Sequence, residues 1–228
     1  IYTGEDTLSL HDALPIYYVL EVLPSLLSGA VVSLQVFFFV LILSLPLGAV
    51  FAFLMQIRFK PLQWLLHIYV LIMRGTPLLL QLIFVYYVLP SVGITFDRMP
   101  AVILAFTLNY AAYFSEIFRG GIEAIPAGQY EAAKVLKFTP VQTIRYIVLP
   151  QVVKIVLPSV FNEVMTLVKD TSLVYALGVS DLLLASRTAA NRDASLAPMF
   201  IAGAIYLLMI GVVTLVSKQV EKKFDYYR

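Results

Sequence analysis

A chain of 228 residues with 61% hydrophobic and 13% charged side chains, and a mean hydropathy of +0.89, is far more apolar than a soluble globular domain. It reads as an integral membrane protein, with room for about five or six spans of ~20 residues and hardly any for a separate soluble domain. The net charge of +2 gives no reason to expect a nucleic-acid partner, and the absence of cysteine excludes disulfides, thiolate metal sites and cysteine catalysis.

In chain order, residues 1–16 (IYTGEDTLSLHDALPI) differ in character from everything that follows. Thr7 to Ile16 resembles, codon for codon, the translation of a common short-read sequencing adapter. Residues 1–16 are therefore expected to be non-native and are set apart from the fold, as any processing scar would be. From Tyr17 a single transmembrane domain is expected to run to residue 228. Leu27 to Met55 carries no charge and is long enough for the first span, with a kink suggested at Pro46 and Gly48. Arg58 and Lys60 close it.

Pro61 to Leu89 is long for one span and short for two, and it holds Arg74-Gly75-Thr76-Pro77 in its interior. A cation at that depth needs a partner or water, and Pro77 breaks the backbone ladder. Met73 to Leu82 (MRGTPLLLQL) resembles the polar amino-acid permeases of ABC importers, in which an Arg-Gly-Thr-Pro run leads into a similar apolar segment. A Pro-kinked helix with Arg74 near an interface fits the same residues. Gln81 faces either the pathway or a neighbouring helix as interhelical glue.

Ser91 to Met99 reads as a short polar loop and Pro100 to Ile117 as the next span. Asn109 to Gly121 (NYAAYFSEIFRGG) again resembles this family. Glu116 and Arg119 stand three apart on one helical face, which suits a local ion pair, with substrate contact by Glu116 as the alternative.

Gly120 to Gln151 is the longest run that reads as amphipathic rather than greasy. One helix is expected after Pro126, carrying Tyr130, Glu131, Ala132, Ala133 and Leu136, the paired alanines forming a flat patch that a partner's groove can receive. A second should open on Thr139 as N-cap with Pro140 at its first position, and Pro150 should mark the end of the unit. The stretch resembles the "EAA" coupling loop of ABC importer permeases: Glu131-Ala132-Ala133, then Ile147 and Leu149-Pro150. Lys137 departs from the pattern, because it stands where the family has glycine. The resemblance implies that this loop, Gly121 included, docks on a separate cytoplasmic ATPase.

Val152 to Val168 is another apolar helix, holding Asn162 and Glu163. It is followed by Lys169-Asp170-Thr171-Ser172-Leu173, which resembles a Lys-Asp-Thr-Ser-Leu signature of the family. Asp170, Thr171 and Ser172 are capping residue types, expected to end one helix and begin another, and irregular backbone at that depth needs a protein wall or a water-filled cavity. The pathway is therefore expected here. Val179 to Ser195 reads as an extracytoplasmic segment, Leu196 to Val216 as the last span, and Ser217 to Arg228 as a cationic tail.

Placing 56–60, 119–154 and 217–228 in the cytoplasm gathers most of the Lys and Arg residues there and leaves Arg98, Arg187 and Arg192 outside. That asymmetry gives five spans, with the N-terminus outside and the C-terminus in the cytoplasm. The fold class is thus all-α and polytopic, with five transmembrane helices of the ABC importer permease type and a cytoplasmic coupling helix. No GxxxxGK[ST] loop is present, and His67 is the only histidine beyond residue 16, which leaves a metal site or a triad unsupported. Two function classes remain. The first is the membrane subunit of an ATP-driven importer of polar amino acids. The second is a self-contained secondary transporter or channel, which has no use for a coupling loop. The resemblance runs from about Pro24 onward. It implies ATP and Mg bound on a partner ATP-binding subunit and none on this chain, an extracytoplasmic substrate-binding protein, a second permease subunit, and a bacterial inner membrane.

Overall fold

The computed structural model describes residues 4–224, with side chains from Tyr17 onward. The expected non-native character of residues 1–16 thus falls on residues and side chains outside that set, as does the tail cation Arg228. Among the described residues every regular element is helical. Four helices are long and apolar enough to cross a bilayer, Tyr17–Met55, Arg98–Glu123, Pro140–Leu177 and Ala197–Phe224, and a bent pair, Lys60–Gly75 with Leu78–Val92, makes a fifth.

Helix α1 (Gly4–Met55) is apolar on nearly every face from Tyr17 onward. Its outward side chains, Phe38, Phe39 and Ile42 among them, are exposed, as a bilayer-facing helix requires. Pro46 does not interrupt it. Gly48 instead lets α4 (Arg98–Glu123) approach, since a Cβ there would lie 2.6 Å from Phe114 Cβ. The central helix is α4, whose Ala101, Phe106, Tyr110, Ala111, Ala112 and Phe114 are each at most 2% exposed. Helices α1, α2 (Lys60–Gly75), α3 (Leu78–Ile83) and α7 (Leu149–Asp170) all pack on it.

The awkward length of the second apolar segment is resolved by a break of 105° between α2 and α3. Pro77 supplies no N–H and pushes the residue before it out of helical space. Thr76 accordingly sits at φ −120°, ψ 147°. Beyond α3 the chain continues through a π turn (Phe84–Val88) and a 3-10 turn (Leu89–Val92).

After α4 come α5 (Ala127–Val135) and α6 (Pro140–Thr143), then a π turn (Ile144–Val148) that feeds straight into α7. Thr139 caps α6 as expected, in a reciprocal capping box with Gln142. Pro150, however, ends nothing. It occupies the first turn of α7, inside a helical run from Pro140 to Leu177. A proline cannot donate to the carbonyl four residues back and its ring crowds that carbonyl. The preceding turn widens accordingly, so that the Leu149 N–H bonds to the Ile144 carbonyl. Leu89-Pro90 shows the same pairing of a π turn with a Leu-Pro step, where the Leu89 N–H reaches the Phe84 carbonyl.

At the far end α7 tightens into a 3-10 turn (Thr171–Leu177). Asp170 was expected to cap there, but its side chain makes no capping bond. The segment expected to be extracytoplasmic contains α8 (Leu182–Arg192), capped by Asp181, which accepts from the Leu183 and Leu184 N–H groups at 3.0 Å each. Helix α9 (Ala197–Phe224) closes the bundle against α7 and α8.

Candidate functional site

The break at Pro77 opens a cavity of about 610 Å³ between the α2–α3 corner, α4 and the end of α7. Arg74, Thr76, Asn109, Tyr110, Tyr113, Glu163, Thr166 and Asp170 supply its polar lining.

Ending α2 early frees backbone carbonyls within the span, and these must be bonded from elsewhere. Two amides perform this. Gln81 Nε2 donates to the Met73 carbonyl at 2.9 Å, the Thr76 carbonyl at 3.2 Å and Thr76 Oγ1 at 2.8 Å. Asn109 Nδ2, from α4, donates to the same Met73 carbonyl at 2.9 Å and to Gln81 Oε1 at 3.0 Å. Gln81 is thus glue across the corner, while the neighbouring Asn109 both holds the corner and reaches the cavity wall.

Arg74 is the cavity's cation. Its guanidinium lies 5.2 Å from the centroid of the Tyr113 ring, a cation–π arrangement, and Nη1 is 3.5 Å from Glu116 Oε2. Glu116 does not line the cavity. It is held by Arg119 through a two-pronged bond of 2.8 Å on each prong, the local ion pair expected from the spacing.

From α7, Glu163, Thr166 and Asp170 recur at i, i+3 and i+7, one helical face turned to the cavity. Asp170 Oδ2 accepts from the Tyr110 hydroxyl at 2.8 Å. The other residues singled out along this stretch go elsewhere: Asn162 and Lys169 are exposed away from the cavity, Thr171 is fully buried with its hydroxyl on the Val168 carbonyl at 2.8 Å, and Ser172 does not reach the lining. Asn109, Tyr110 and Tyr113 stand in the sequence within the family-like run NYAAYFSEIFRGG without a site role, and Thr166 carries no expectation at all. A signal exists for two of them, because Asn109 and Tyr113 stand four apart, on one helical face of an otherwise apolar span.

One cation and an amide from the α2–α3 corner and α4, with two carboxylates from α7, suit a small zwitterion better than an ion of one sign. No group of three or more His, Asp or Glu residues among the described ones is arranged to hold a metal.

The second surface is the α5–α6 segment. Glu131 and Ala132 are exposed, but Ala133 is fully buried and faces inward. The flat alanine patch expected there is therefore half packing. The outward apolar groups are Val135, 82% exposed, Leu136, 66%, and Val141, 73%; Leu149 and Pro150 are exposed as well. Lys137 has φ +57°, the left-handed conformation that glycine adopts freely. The Phe138 N–H bonds to the Ala133 carbonyl and the Lys137 N–H to the Lys134 carbonyl, 3.0 Å each, which is a Schellman end with lysine in the glycine position. Gly121 is not on this surface. It is buried at the α4–α7 crossing, where a Cβ would fall 2.2 Å from Val156 Cγ1.

Residues 44–226 match the family described as binding-protein-dependent transport system inner membrane component. The arginine transport system permease protein ArtQ of Bacillus subtilis is 37% identical over 203 residues, covering 88% of this chain and 93% of ArtQ. The L-cystine transport system permease protein TcyB of the same organism is 33% identical over 225 residues, covering 96% and 95%. Among solved structures, an amino acid ABC transporter crystallised with histidines superposes with a TM-score of 0.85 at 29% identity, over 91% of this chain and 97% of that one. An inward-facing MetNI methionine transporter shares the fold, with a TM-score of 0.65 at 16% identity over 90% and 94%.

Proposed function

The chain belongs to the inner membrane components of binding-protein-dependent transport systems, multi-pass membrane proteins, and we propose that it is the permease subunit of an ATP-driven importer of polar amino acids. The observation that carries this is the cavity at the Pro77 break, with Arg74 on one element and Glu163 and Asp170 on another. An amino acid presents a carboxylate and an ammonium group on one carbon. Arg74 is suited to the first by its forked donors, and Glu163 and Asp170 to the second. Thr76, Thr166 and Tyr110 supply neutral hydrogen-bonding groups between them.

The chain hydrolyses nothing itself in this reading. ATP and Mg belong to a partner ATP-binding subunit that seats on the exposed apolar face of Val135, Leu136 and Val141, with Glu131, Ala132, Leu149 and Pro150 at its border. A substrate-binding protein delivers the amino acid on the extracytoplasmic side, a second permease subunit completes the pathway, and both the cationic tail and the α5–α6 segment lie in the cytoplasm. The clustering of Lys and Arg on that side supports the orientation. The names of the relatives supply the substrate class: arginine for ArtQ and cystine for TcyB.

The test is uptake into proteoliposomes carrying this chain with the ATPase and binding protein encoded beside it, with labelled L-arginine, L-glutamine and L-cystine offered in turn. One of them is expected to accumulate only with ATP inside, and Arg74→Gln to raise its half-saturating concentration about tenfold or more, from the ~1.5–3 kcal/mol of a charged hydrogen bond. Val135→Asp is expected to leave the chain inserted but without its ATPase, because an unpaired charge resists burial at an interface. Accumulation without ATP would overturn the reading in favour of a self-contained transporter.

A further inference from the structure

A line of four alternating charges leaves the cavity and runs down α4 toward α5. Arg74 Nη1 is 3.5 Å from Glu116 Oε2. Arg119 grips Glu116 with Nε and Nη2 at 2.8 Å each, and its remaining Nη1 donates to Glu123 Oε1 at 2.7 Å. Glu116 and Glu123 are seven residues apart, two turns on the same face and about 10 Å along the axis. Glu123 is the last residue of α4, and only Ala124 to Pro126 separate it from α5.

The links differ in strength. The Arg119 fork is short and two-pronged, whereas the Arg74 contact is single, long and shared, because Glu116 Oε2 already accepts from Arg119 Nη2. Arg74 also lines the cavity and lies over the Tyr113 ring. Its charge therefore has two alternative destinations: Glu116, or an anion inside the cavity. Glu116 correspondingly either divides its charge between two cations or gives it wholly to Arg119. A guanidinium is a rigid plane, so a change in how Glu116 holds two of its nitrogens reorients the third, which is the one on Glu123.

We infer that the Glu116–Arg119–Glu123 chain reports the occupancy of the cavity to the α5 docking helix, with Arg74 as the shared cation that a substrate carboxylate withdraws. The inference rests on the importer reading above. Glu116, Arg119 and Glu123 are positioning residues in this scheme: none of them touches the substrate. Two sites qualify as coupled only when a defined two-state element joins them, and here that element is the choice of partner for Arg74.

Glu123 is the informative place to intervene, since its side chain is 56% exposed and lies outside the cavity. In the reconstituted complex the quantity to read is the ratio of ATP hydrolysis with amino-acid-loaded binding protein to that with empty binding protein, using whichever of L-arginine, L-glutamine and L-cystine stimulates the unaltered complex. Glu123→Gln is expected to lower that ratio about fivefold or more, the lower end of ordinary allosteric coupling, with the half-saturating amino-acid concentration unchanged. Arg119→Gln is expected to lower the ratio by as much, with a raised half-saturating concentration because Glu116 is then left to Arg74 alone, and the double variant to lose no more of the ratio than either single one, as residues of one chain should. A full ratio in Glu123→Gln, or losses that add in the double variant, overturns the inference while leaving the importer reading in place. Failure of all three amino acids to stimulate the unaltered complex removes the importer reading and the inference together.

Discussion

The Tyr110 hydroxyl donates to Asp170 at 2.8 Å, tying the middle of α4 to the last residue of α7, where the helix tightens into its 3-10 turn. Tyr110 is 2% exposed, so this is an interior contact in the wall of the cavity. Removing only the hydroxyl, as in Tyr110→Phe, strips a donor from a half-buried carboxylate, a loss of about 1–3 kcal/mol. The expected result is a lower thermal midpoint in detergent together with reduced uptake. Asp170→Asn keeps an acceptor for Tyr110 and removes the charge. It is expected to hold the midpoint and lose the uptake. If Tyr110→Phe matched the unaltered protein in both measurements, the contact would have no role in either.

A second prediction concerns the α4–α7 crossing. A Cβ on Gly121 would sit 2.2 Å from Val156 Cγ1 and 3.2 Å from Val152 Cγ1. These contacts belong to well-packed side chains in a buried cluster with Ile125 and Val148. Gly121→Ala is therefore expected to destabilise by about 1–3 kcal/mol through overpacking. Val156→Ala, made in addition, removes the obstructing methyl groups and should recover most of the loss. A double variant no more stable than Gly121→Ala alone would assign the glycine to something other than this crossing, docking included.

Asp181 carries a pH signature. It lies outside the spans, fully buried, between Gly178 and the start of α8. Burial pushes its carboxyl above the ordinary aspartate value of 3.8, partly opposed by the hydrogen bonds from Leu184, Leu183 and Tyr206. A carboxyl with a raised folded-state pKa holds its proton longer folded than unfolded, so its contribution to stability is full below 3.8 and is lost as the pH rises through the folded value. Asp181→Asn can still cap α8 but has no proton to lose. Thermal midpoints of the two proteins are expected to converge at acid pH, with the variant gaining on the unaltered protein as the pH rises through that window. Parallel midpoints across the series would show that the carboxyl does not titrate differently on folding.

Much of this molecule was legible in the sequence because its strongest signals are local. Apolar run length gave the spans and Thr139-Pro140 gave a helix start, while the resemblance to the permease coupling loop, which has glycine there, marked Lys137, where φ is indeed positive. What was not legible depends on where helices meet. Ala132 and Ala133 are adjacent and chemically identical, yet one is exposed and the other fully buried, and only the packing of α5 decides which. Pro150 read as a stop because proline usually is one in a helix; the π turn before it absorbs the missing bond and lets the helix run on. Asp170 read as a cap from its type alone, but a tyrosine 60 residues away claims its carboxylate. Asn109 stood without a site role for the same reason. Its role is set by carbonyls that α2 leaves open, 36 residues earlier in the chain.

The last prediction returns to the Schellman end of α5. Lys137 adopts φ +57° with its N–H on Lys134 and the Phe138 N–H on Ala133, both at 3.0 Å. A left-handed conformation costs a residue with a Cβ about 1–2 kcal/mol relative to glycine. A cation at a helix C-terminus regains ~0.3–1 kcal/mol of this from the helix dipole. Glycine, for its part, loses more chain entropy on folding than lysine, of order 0.5–1 kcal/mol. These terms nearly cancel, so Lys137→Gly is expected to shift the stability of the turn by less than about 1 kcal/mol, toward the more stable side. Lys137→Val has no such compensation: it keeps the Cβ, branches it and discards the charge. The two amides that close the turn offer a direct readout through hydrogen exchange. Protection at Phe138 should rank glycine first, asparagine next, lysine third and valine last, since asparagine tolerates positive φ better than other side chains. If valine protected that amide as well as lysine does, the turn would not hold positive φ in the assembled protein, and the substitution of lysine for glycine would be neutral there.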